Sequence, residues 1–208
     1  MIADLLSPAP VLILGALLVP FLNGKAKSVY MLLLPAAVWL LVLSLPEGKA
    51  CTGELWGYTL VLCRVDKLSM VFGTIFCLMT FLGVLFALQV KDDLQHVAAL
   101  VYAGSTLGVV YAGDVLTLYI YWEFMAVSST FLILASRTRE AREAGFRYIL
   151  VHLIGGLFLL AGIVLYVQTR GTLEFDYIGL DGIGSWLMFI GIALNAAAIP
   201  LHAWLPDA

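Results

Sequence analysis

The sequence predicts an all-α, polytopic membrane protein with about seven transmembrane helices. Hydrophobic residues make up 62% of the 208 residues and charged residues only 12%, whereas a soluble domain is roughly half apolar and about a quarter charged. A water-soluble fold of this size could not bury so much apolar surface, so lipid must solvate much of the chain. The apolar runs are long and continuous and lack the alternation of a β-barrel, which favours helices.

Each predicted span is an apolar run close to the roughly 20 residues that a helix needs to cross the hydrocarbon, at a rise of about 1.5 Å per residue. Pro35 indicates a kink in the second run, and Pro200 should break or bend the helix at the end of the seventh. A Gly113–Asp114 turn predicts a tight hairpin between the fourth and fifth. The predicted spans are Leu5–Leu22, Ser28–Leu45, Leu68–Val90, Val97–Ala112, Val115–Ser136, Tyr148–Thr169 and Ile178–Ile199.

The loop charges orient these spans. With the N-terminus outside, the inner loops hold seven basic residues and the outer loops four, which obeys the positive-inside rule. Most of this bias comes from Arg137–Arg147, which we expect to form a short amphipathic helix or turn on the cytoplasmic face. The start of the chain lacks the basic residues and cleavage site of a signal peptide, so we interpret it as a retained span. The predicted location is the cytoplasmic (inner) membrane.

No catalytic residue, cofactor, metal or nucleic-acid site is expected. The net charge of −3 and the lack of a long basic run argue against nucleic acid. The sequence has no glycine-rich phosphate loop and no Cys-x-x-Cys pair, and its three cysteines match no metal-site spacing. Cys51 and Cys63 share the predicted outer loop, where they would form a disulfide in an oxidising compartment or remain two free thiols. Cys77 is expected to serve packing.

One acidic residue, Glu123, is predicted to lie deep in the bilayer. Of the fourteen acids, it alone is well inside a predicted span, roughly 18 Å from the cytoplasmic end of its helix. A charged group at that depth costs at least about 2.5 kcal/mol, so its presence calls for a reason. Desolvation favours the neutral acid and a cationic neighbour favours the carboxylate, and a group balanced between the two can carry a proton. The alternative is a protonated Glu123 that is hydrogen-bonded to a neighbouring helix.

Three further polar side chains are candidates for the same path. His152 lies near the cytoplasmic start of the sixth span, where a neutral imidazole could relay protons or could simply be packed and satisfied. Asn195 and His202 flank Pro200, and broken backbone at membrane depth is tolerated only beside protein or a water-filled cavity. Both are therefore candidate cavity residues. The alternative is a plain helix exit, with His202 and Trp204 at the interface.

The sixth span also carries small residues in the run Gly155-Gly156-Leu-Phe-Leu-Leu-Ala-Gly162. Small side chains let helices approach closely, and packing is the favoured interpretation over a role in gating. Three hydroxyl residues follow Glu123 and would bond either to water or back to their own helix, namely Ser128, Ser129 and Thr130.

Four motifs then carry a family resemblance: Arg64-Val-Asp-Lys-Leu-Ser69, Ala112-Gly-Asp114, Trp122-Glu123 and the segment Pro200–Ala208. Together they cover roughly residues 60–208, and the last of them is highly specific. The chain resembles the antiporter-like, proton-translocating membrane subunits of respiratory complex I. The same family includes the large subunits of Mrp-type Na⁺/H⁺ antiporters and membrane subunits of membrane-bound hydrogenases.

The resemblance implies a fold of fourteen transmembrane helices around two inverted five-helix repeats, each with a broken helix. Residues 1–92 would hold the three leading helices, and residues 93–208 an incomplete first repeat with a broken seventh helix. Glu123 would be the essential fifth-helix glutamate, which in this family pairs with a buried lysine. Asn195 stands where that lysine most often lies, and no lysine lies in any predicted span. A lysine could come from an eighth helix, with which family members normally continue, so we expect a truncated or split member or one completed by a separate polypeptide.

The favoured function is translocation of protons or monovalent cations within a larger respiratory, hydrogenase or Mrp-type complex. Glu123 would be the central carrier, and water would enter near His152 and His202. The alternative is a non-pumping structural or assembly subunit, which Asn195 and the early end of the chain favour. A redox subunit with its own quinone or metal site has no support in the sequence. Any oxidoreductase activity would therefore belong to the complex. The expected partners are lipid, protons or Na⁺, and other membrane subunits, among them any chain that supplies the second half.

Overall fold

The computed structural model describes residues 7–207 apart from residues 56, 176 and 203, with only the backbone of residue 207. In this part the chain forms seven α-helices, one β-hairpin and two short 3-10 helices. Five of these helices are long and apolar enough to cross a membrane, and two apolar helices are shorter. The predicted helical membrane fold is therefore confirmed, although not all seven predicted spans reach spanning length. The elements are α1 (Pro8–Ala16), α2 (Gly24–Ser44), β1 (Ala50–Leu55), β2 (Tyr58–Arg64), α3 (Lys67–Ala87), α4 (Asp93–Tyr111), α5 (Val115–Leu134), α6 (Arg139–Arg170) and α7 (Ile183–Asn195).

Helix α7 is the broken helix that Pro200 predicts. It ends at Asn195 and begins five residues later than expected, so the predicted bounds Ile178–Ile199 are wrong at both ends. A proline ring clashes with the carbonyl four residues earlier, which here belongs to Ala196, the first residue after the helix. Ala197 follows in the left-handed region with a φ of 51°, a conformation common just after a helix end.

Helix α6 is longer than predicted. It begins at Arg139 rather than Tyr148, so most of Arg137–Arg147 forms its first turns instead of a separate amphipathic helix. The side chain of Thr138 caps this start by accepting a hydrogen bond of 3.1 Å from the N–H of Ala141. Such a cap stabilises a helix start by about 1 kcal/mol, which explains why the helix runs back into the charged segment.

The first two helices also differ in detail from prediction. Helix α1 ends at Ala16 and a 3-10 turn over Val19–Phe21 follows it, while the predicted start at Leu5 lies outside the described residues. Helix α2 runs without interruption through the buried Pro35. At its N-terminal end, ion pairs of 2.8 Å between Lys27 and Asp93 and of 2.9 Å between Asp92 and Arg137 join the starts of α2 and α4 to the segment before α6.

The connection between α2 and α3 is a β-hairpin, which was not predicted from the sequence. Strands β1 and β2 pair antiparallel around a turn at Gly57, whose φ is 81°. Tyr58-Thr-Leu-Val-Leu-Cys63 is rich in strand-forming residues and adjoins a glycine turn. This local pattern indicates a strand, but it lies between two apolar predicted helices and was interpreted as part of a loop.

The hairpin packs on the tight turn between α4 and α5, where the predicted Gly113–Asp114 hairpin is confirmed. Asp114 is fully buried, and its carboxylate accepts hydrogen bonds from the N–H groups of Leu116 (2.9 Å) and Thr117 (2.7 Å) and from the Thr117 hydroxyl (2.7 Å). It also accepts from the N–H of Val61 in β2 at 2.7 Å. One side chain therefore both caps α5 and attaches it to the β-hairpin.

Glycines set the close contact between α6 and α7. A Cβ at Gly191 would lie 2.6 Å from the Gly155 carbonyl oxygen and 2.7 Å from the Leu159 nitrogen. A second contact lies seven residues after Gly155 on α6 and seven residues before Gly191 on α7. There a Cβ at Gly162 would lie 2.6 Å from the carbonyl oxygen of Gly184. Only residues without a side chain allow backbones to approach this closely. The predicted packing role of these α6 glycines is confirmed.

We expect Gly191→Ala to destabilise the protein by about 1–3 kcal/mol, because the added methyl group meets backbone atoms of α6 that cannot move without separating the helices. The matched control is Gly83→Ala in α3, where a Cβ would have no described atom within 4 Å. That control should stay within about 1 kcal/mol of the wild type. Thermal unfolding of the purified complex containing each variant measures the difference. Equal unfolding temperatures for the two variants would contradict the close contact.

Candidate functional site

Glu123 lies near the middle of α5, about 12 Å from one end of the helix and about 16 Å from the other. Its carboxyl group faces Gly156 of α6. A Cβ at Gly156 would lie 3.0 Å from the Glu123 Cδ and 3.3 Å from Oε2, with Oε1 nearer still. Glycine at this position therefore makes the room in which the carboxyl group sits. The position of Glu123 within its helix agrees with the sequence prediction, while its depth in the bilayer stays a prediction.

Asn195 reaches the neighbouring glycine from the other side. It is the last residue of α7, and a Cβ at Gly155 would lie 2.9 Å from its Oδ1 and 3.1 Å from its Nδ2. Two adjacent glycines of α6 thus receive polar side chains from two different helices. Because α7 stops here, the amide lies where regular helical backbone gives way to irregular backbone.

His152 lies one turn before these glycines on α6 and is 7% exposed. Its ring lies against Tyr148, with centroids 4.1 Å apart, and against Trp204, with centroids 4.7 Å apart. The indole N–H of Trp204 donates to the Leu194 carbonyl at 3.1 Å. The segment after α7 is therefore folded back so that its tryptophan covers His152. The Asn195 amide also faces the imidazole, although no hydrogen bond of regular geometry joins the two side chains.

We call Glu123, His152 and Asn195 the polar cluster. Within the described part of the chain, eight buried side-chain nitrogen or oxygen atoms have no hydrogen-bond partner, and five of the eight belong to the polar cluster. Buried polar atoms without partners are rare in folded proteins, and each one needs an explanation. The other three are single atoms of Trp39, Tyr111 and Tyr166. Unpaired polar groups are thus concentrated at one place in an apolar bundle.

None of the ion pairs found among the described residues includes Glu123. Helices α2 and α3 begin earlier than the predicted spans and so include Lys25, Lys27 and Lys67, all in their first turns. Lys27 is paired with Asp93. In the polar cluster itself, the side chain that α7 supplies is the neutral amide of Asn195.

The remaining predicted residues lie outside the polar cluster. His202 is exposed in the turns after α7, and no hydrogen bond or ring contact joins it to the polar cluster among the described residues. The hydroxyl groups of Ser128, Ser129 and Thr130 donate back to their own helix, and that of Ser129 also meets the Tyr148 hydroxyl at 2.8 Å. Of the four candidate site residues, the structure therefore brings Glu123, His152 and Asn195 together and leaves His202 apart.

Two aromatic neighbours of the site were not predicted. Tyr148 precedes His152 by four residues, a spacing that places both side chains on one face of a helix, so a local signal existed. Trp204 was considered only as an interfacial residue. Its contact with His152 depends on how the chain folds back after α7, which the sequence does not encode as a local pattern.

Comparison with known proteins agrees with this architecture. The family described as NADH:quinone oxidoreductase/Mrp antiporter, TM, matches residues 112–208, the part that contains the polar cluster. Subunit 5 of the chloroplast NAD(P)H-quinone oxidoreductase of a Saccharum hybrid is 28% identical over 98% of this chain and 33% of its own length. NADH-quinone oxidoreductase subunit N of Cereibacter sphaeroides is 29% identical over 96% of this chain and 45% of its own length.

Solved structures share the fold. A chain of the archaeal membrane-bound sulfane sulfur reductase matches with a TM-score of 0.75 at 25% identity, over 96% of this chain and 47% of that one. A chain of respiratory complex I from Thermus thermophilus with bound NADH matches with a TM-score of 0.81 at 24% identity, over 96% and 45%.

These matches and the fold indicate a multi-pass membrane protein that is similar to antiporter-like subunits. Over residues 112–208 the chain is similar to the family of antiporter-like membrane subunits found in NADH:quinone oxidoreductases and Mrp antiporters, as the motifs predict. It spans between a third and a half of the length of these two curated relatives.

Proposed function

We propose that the chain translocates protons or monovalent cations as part of a larger membrane complex, with Glu123 as the central carrier. The observation that carries this proposal is the concentration of unpaired buried polar atoms on Glu123, His152 and Asn195. Ionisable groups inside a membrane are costly and by default indicate an ion path. A carboxyl group in such a place can bind a proton and release it again.

The residues of the proposed path all lie on or against α6. From the side with the charged start of α6, a proton would first meet His152, whose neutral imidazole can accept on one nitrogen and donate from the other. Asn195 cannot titrate, but its amide both donates and accepts and can therefore orient water beside Gly155. Glu123, against Gly156, would receive the proton. His202, exposed after α7, stays a predicted entry residue on the same side.

The proposed surroundings follow from the relatives. Since those proteins are subunits of quinone oxidoreductases and this chain matches less than half of their length, we expect other membrane subunits or segments to cover its exposed apolar faces. We also propose the orientation that the loop charges predict, with the N-terminus outside and Arg137–Arg147 in the cytoplasm. The division into residues 1–92 and 93–208 likewise remains a prediction.

A second candidate function is a structural subunit that docks other chains without pumping. Asn195 favours it, because an amide at the position of the family's lysine cannot change its charge. The two candidates differ in what they require of the polar cluster. A pump needs its polar atoms, whereas a scaffold needs only its packing around Gly155 and Gly156.

We expect Asn195→Leu to lower ion translocation severalfold while the complex still assembles. Leucine has nearly the same volume, so packing is kept, and replacing unpaired buried polar atoms by apolar ones is neutral or stabilising. Proton uptake into vesicles that contain the assembled complex, followed with a pH-sensitive dye with and without Na⁺, measures the effect. The matched control is Asn23→Leu, an exposed residue before α2 whose side chain makes no capping hydrogen bond. Unchanged translocation in Asn195→Leu would favour the scaffold.

A further inference from the structure

The β-hairpin holds two thiols that face each other. Cys51 in β1 is paired with Cys63 in β2 in the antiparallel register, and their side chains are 4% and 0% exposed. In the structure both are thiols. Residues directly opposite each other have Cβ atoms about 4.5–5.5 Å apart, and a disulfide needs about 3.5–4.5 Å. A small approach of the strands is therefore enough for a bond.

The local backbone supplies that freedom. The register shifts directly after Cys51, between residues 51 and 52, and a bulge of this kind twists and bends one strand against the other. The two residues enclose a hairpin of thirteen positions, from 51 to 63, so a bond between them would close a short loop. No packing partner has to be displaced, because the two thiols already form part of one hydrophobic cluster.

We infer that Cys51 and Cys63 form a structural disulfide while the hairpin folds on the outer face of the membrane. Each thiol loses its proton, one Sγ–Sγ bond forms, and the two electrons pass to the disulfide of an oxidant of the thiol–disulfide exchange class. That oxidant is thereby reduced to two thiols. The compartment follows from the predicted orientation, in which the hairpin lies outside, where disulfides persist.

The order of events follows from burial. Burial and the neighbouring Cys51 thiol raise the pKa of Cys63 to about 11, so in the folded hairpin this group is almost wholly protonated at neutral pH. Because the thiolate is the reactive form, exchange at Cys63 is slow once the hairpin has packed. Oxidation therefore precedes packing, and the finished bond is sealed from reductants. The bond would hold the strand that carries Val61, the partner of Asp114 at the start of α5.

The test counts free thiols in the complex as it exists in membranes. Membranes are quenched in acid, denatured and treated with a maleimide, with or without prior reduction. The protein is then digested, and the masses of its peptides are measured by mass spectrometry. Without reduction we expect Cys77 alone to be labelled, together with a linked Cys51–Cys63 peptide that is lighter by two hydrogen atoms than the two separate peptides. After reduction all three cysteines should be labelled.

The matched control is Cys63→Ala, which should leave both Cys51 and Cys77 labelled without reduction, even if the variant assembles poorly. Three labelled cysteines in unreduced wild-type protein would overturn the inference. So would a bond that mild reductant removes as fast from the folded complex as from the denatured chain. The result is independent of ion translocation, because the hairpin contains no residue of the polar cluster.

Discussion

Replacing Glu123 by glutamine should reduce ion translocation by the assembled complex to the background leak of the vesicles. Glutamine has nearly the same shape, so it keeps the contact with Gly156 and the approach of α5 to α6. It cannot bind and release a proton, so the proposed carrier is lost while the packing remains. The measurement is dye-reported proton uptake at equal amounts of assembled complex.

The control for this substitution is Glu143→Gln. Glu143 lies on the exposed start of α6 and pairs with Arg139 at 2.9 Å, and a surface pair of this kind contributes no more than about 1 kcal/mol. We expect its translocation to equal that of the wild type. Glu123→Asp adds a graded test, because it keeps the acid but withdraws it from Gly156. Normal transport in Glu123→Gln would exclude the carrier role and leave the structural subunit as the better account.

The largest loss of stability is expected from Asp114→Ala. The substitution removes the acceptor of four hydrogen bonds at a fully buried site. Each buried donor left without a partner costs about 1–3 kcal/mol, and the lost helix cap costs about 1 kcal/mol. Since such losses overlap, we expect a decrease of about 3–5 kcal/mol in the free energy of unfolding. Denaturant unfolding of the purified complex, or its yield in membranes, measures this.

Asp66→Ala is the matched comparison. Asp66 also caps a helix, α3, by accepting from the N–H of Ser69 at 2.7 Å, but its side chain is 49% exposed, so water can replace the lost acceptor. Its loss should cost only about 1 kcal/mol. Similar destabilisation by the two substitutions would mean that burial and the bond to Val61 add nothing to the cap.

Much of the site could be predicted because it rests on the cost of burying charge. Glu123 is conspicuous in an apolar run whatever surrounds it, since a carboxylate in hydrocarbon needs a reason in any fold. The break after Asn195 was predictable for a similar local reason, because Pro200 forbids regular helix at a fixed distance before it. The error at the start of α7 has the opposite cause. Ile178 and Leu180 extend the apolar pattern back beyond Asp181 and Gly182, but hydropathy does not report where helical hydrogen bonds begin.

The different positions of His202 and Trp204 could not be predicted from local sequence patterns. Both follow Pro200 and were predicted to lie near the same exit, yet the structure leaves His202 exposed and places Trp204 against His152. Which of the two turns inward depends on the path of the chain after α7, anchored by the bond from Trp204 to the Leu194 carbonyl. Nothing in the spacing of the two residues distinguishes them.

The amino-acid sequence alone determined that this is a helical membrane protein, that one acid lies near the middle of a spanning helix, and that α7 ends before Pro200. These follow from transfer free energies and backbone sterics, which act residue by residue. The tertiary structure alone decided that Asn195 and Glu123 lie against the adjacent glycines Gly155 and Gly156 and that Trp204 covers His152. It also decided that Asp114 attaches the β-hairpin to α5 and that Cys51 and Cys63 face each other across that hairpin. Those contacts join residues far apart in the chain, and close packing between elements, rather than any local preference, fixes which of them meet.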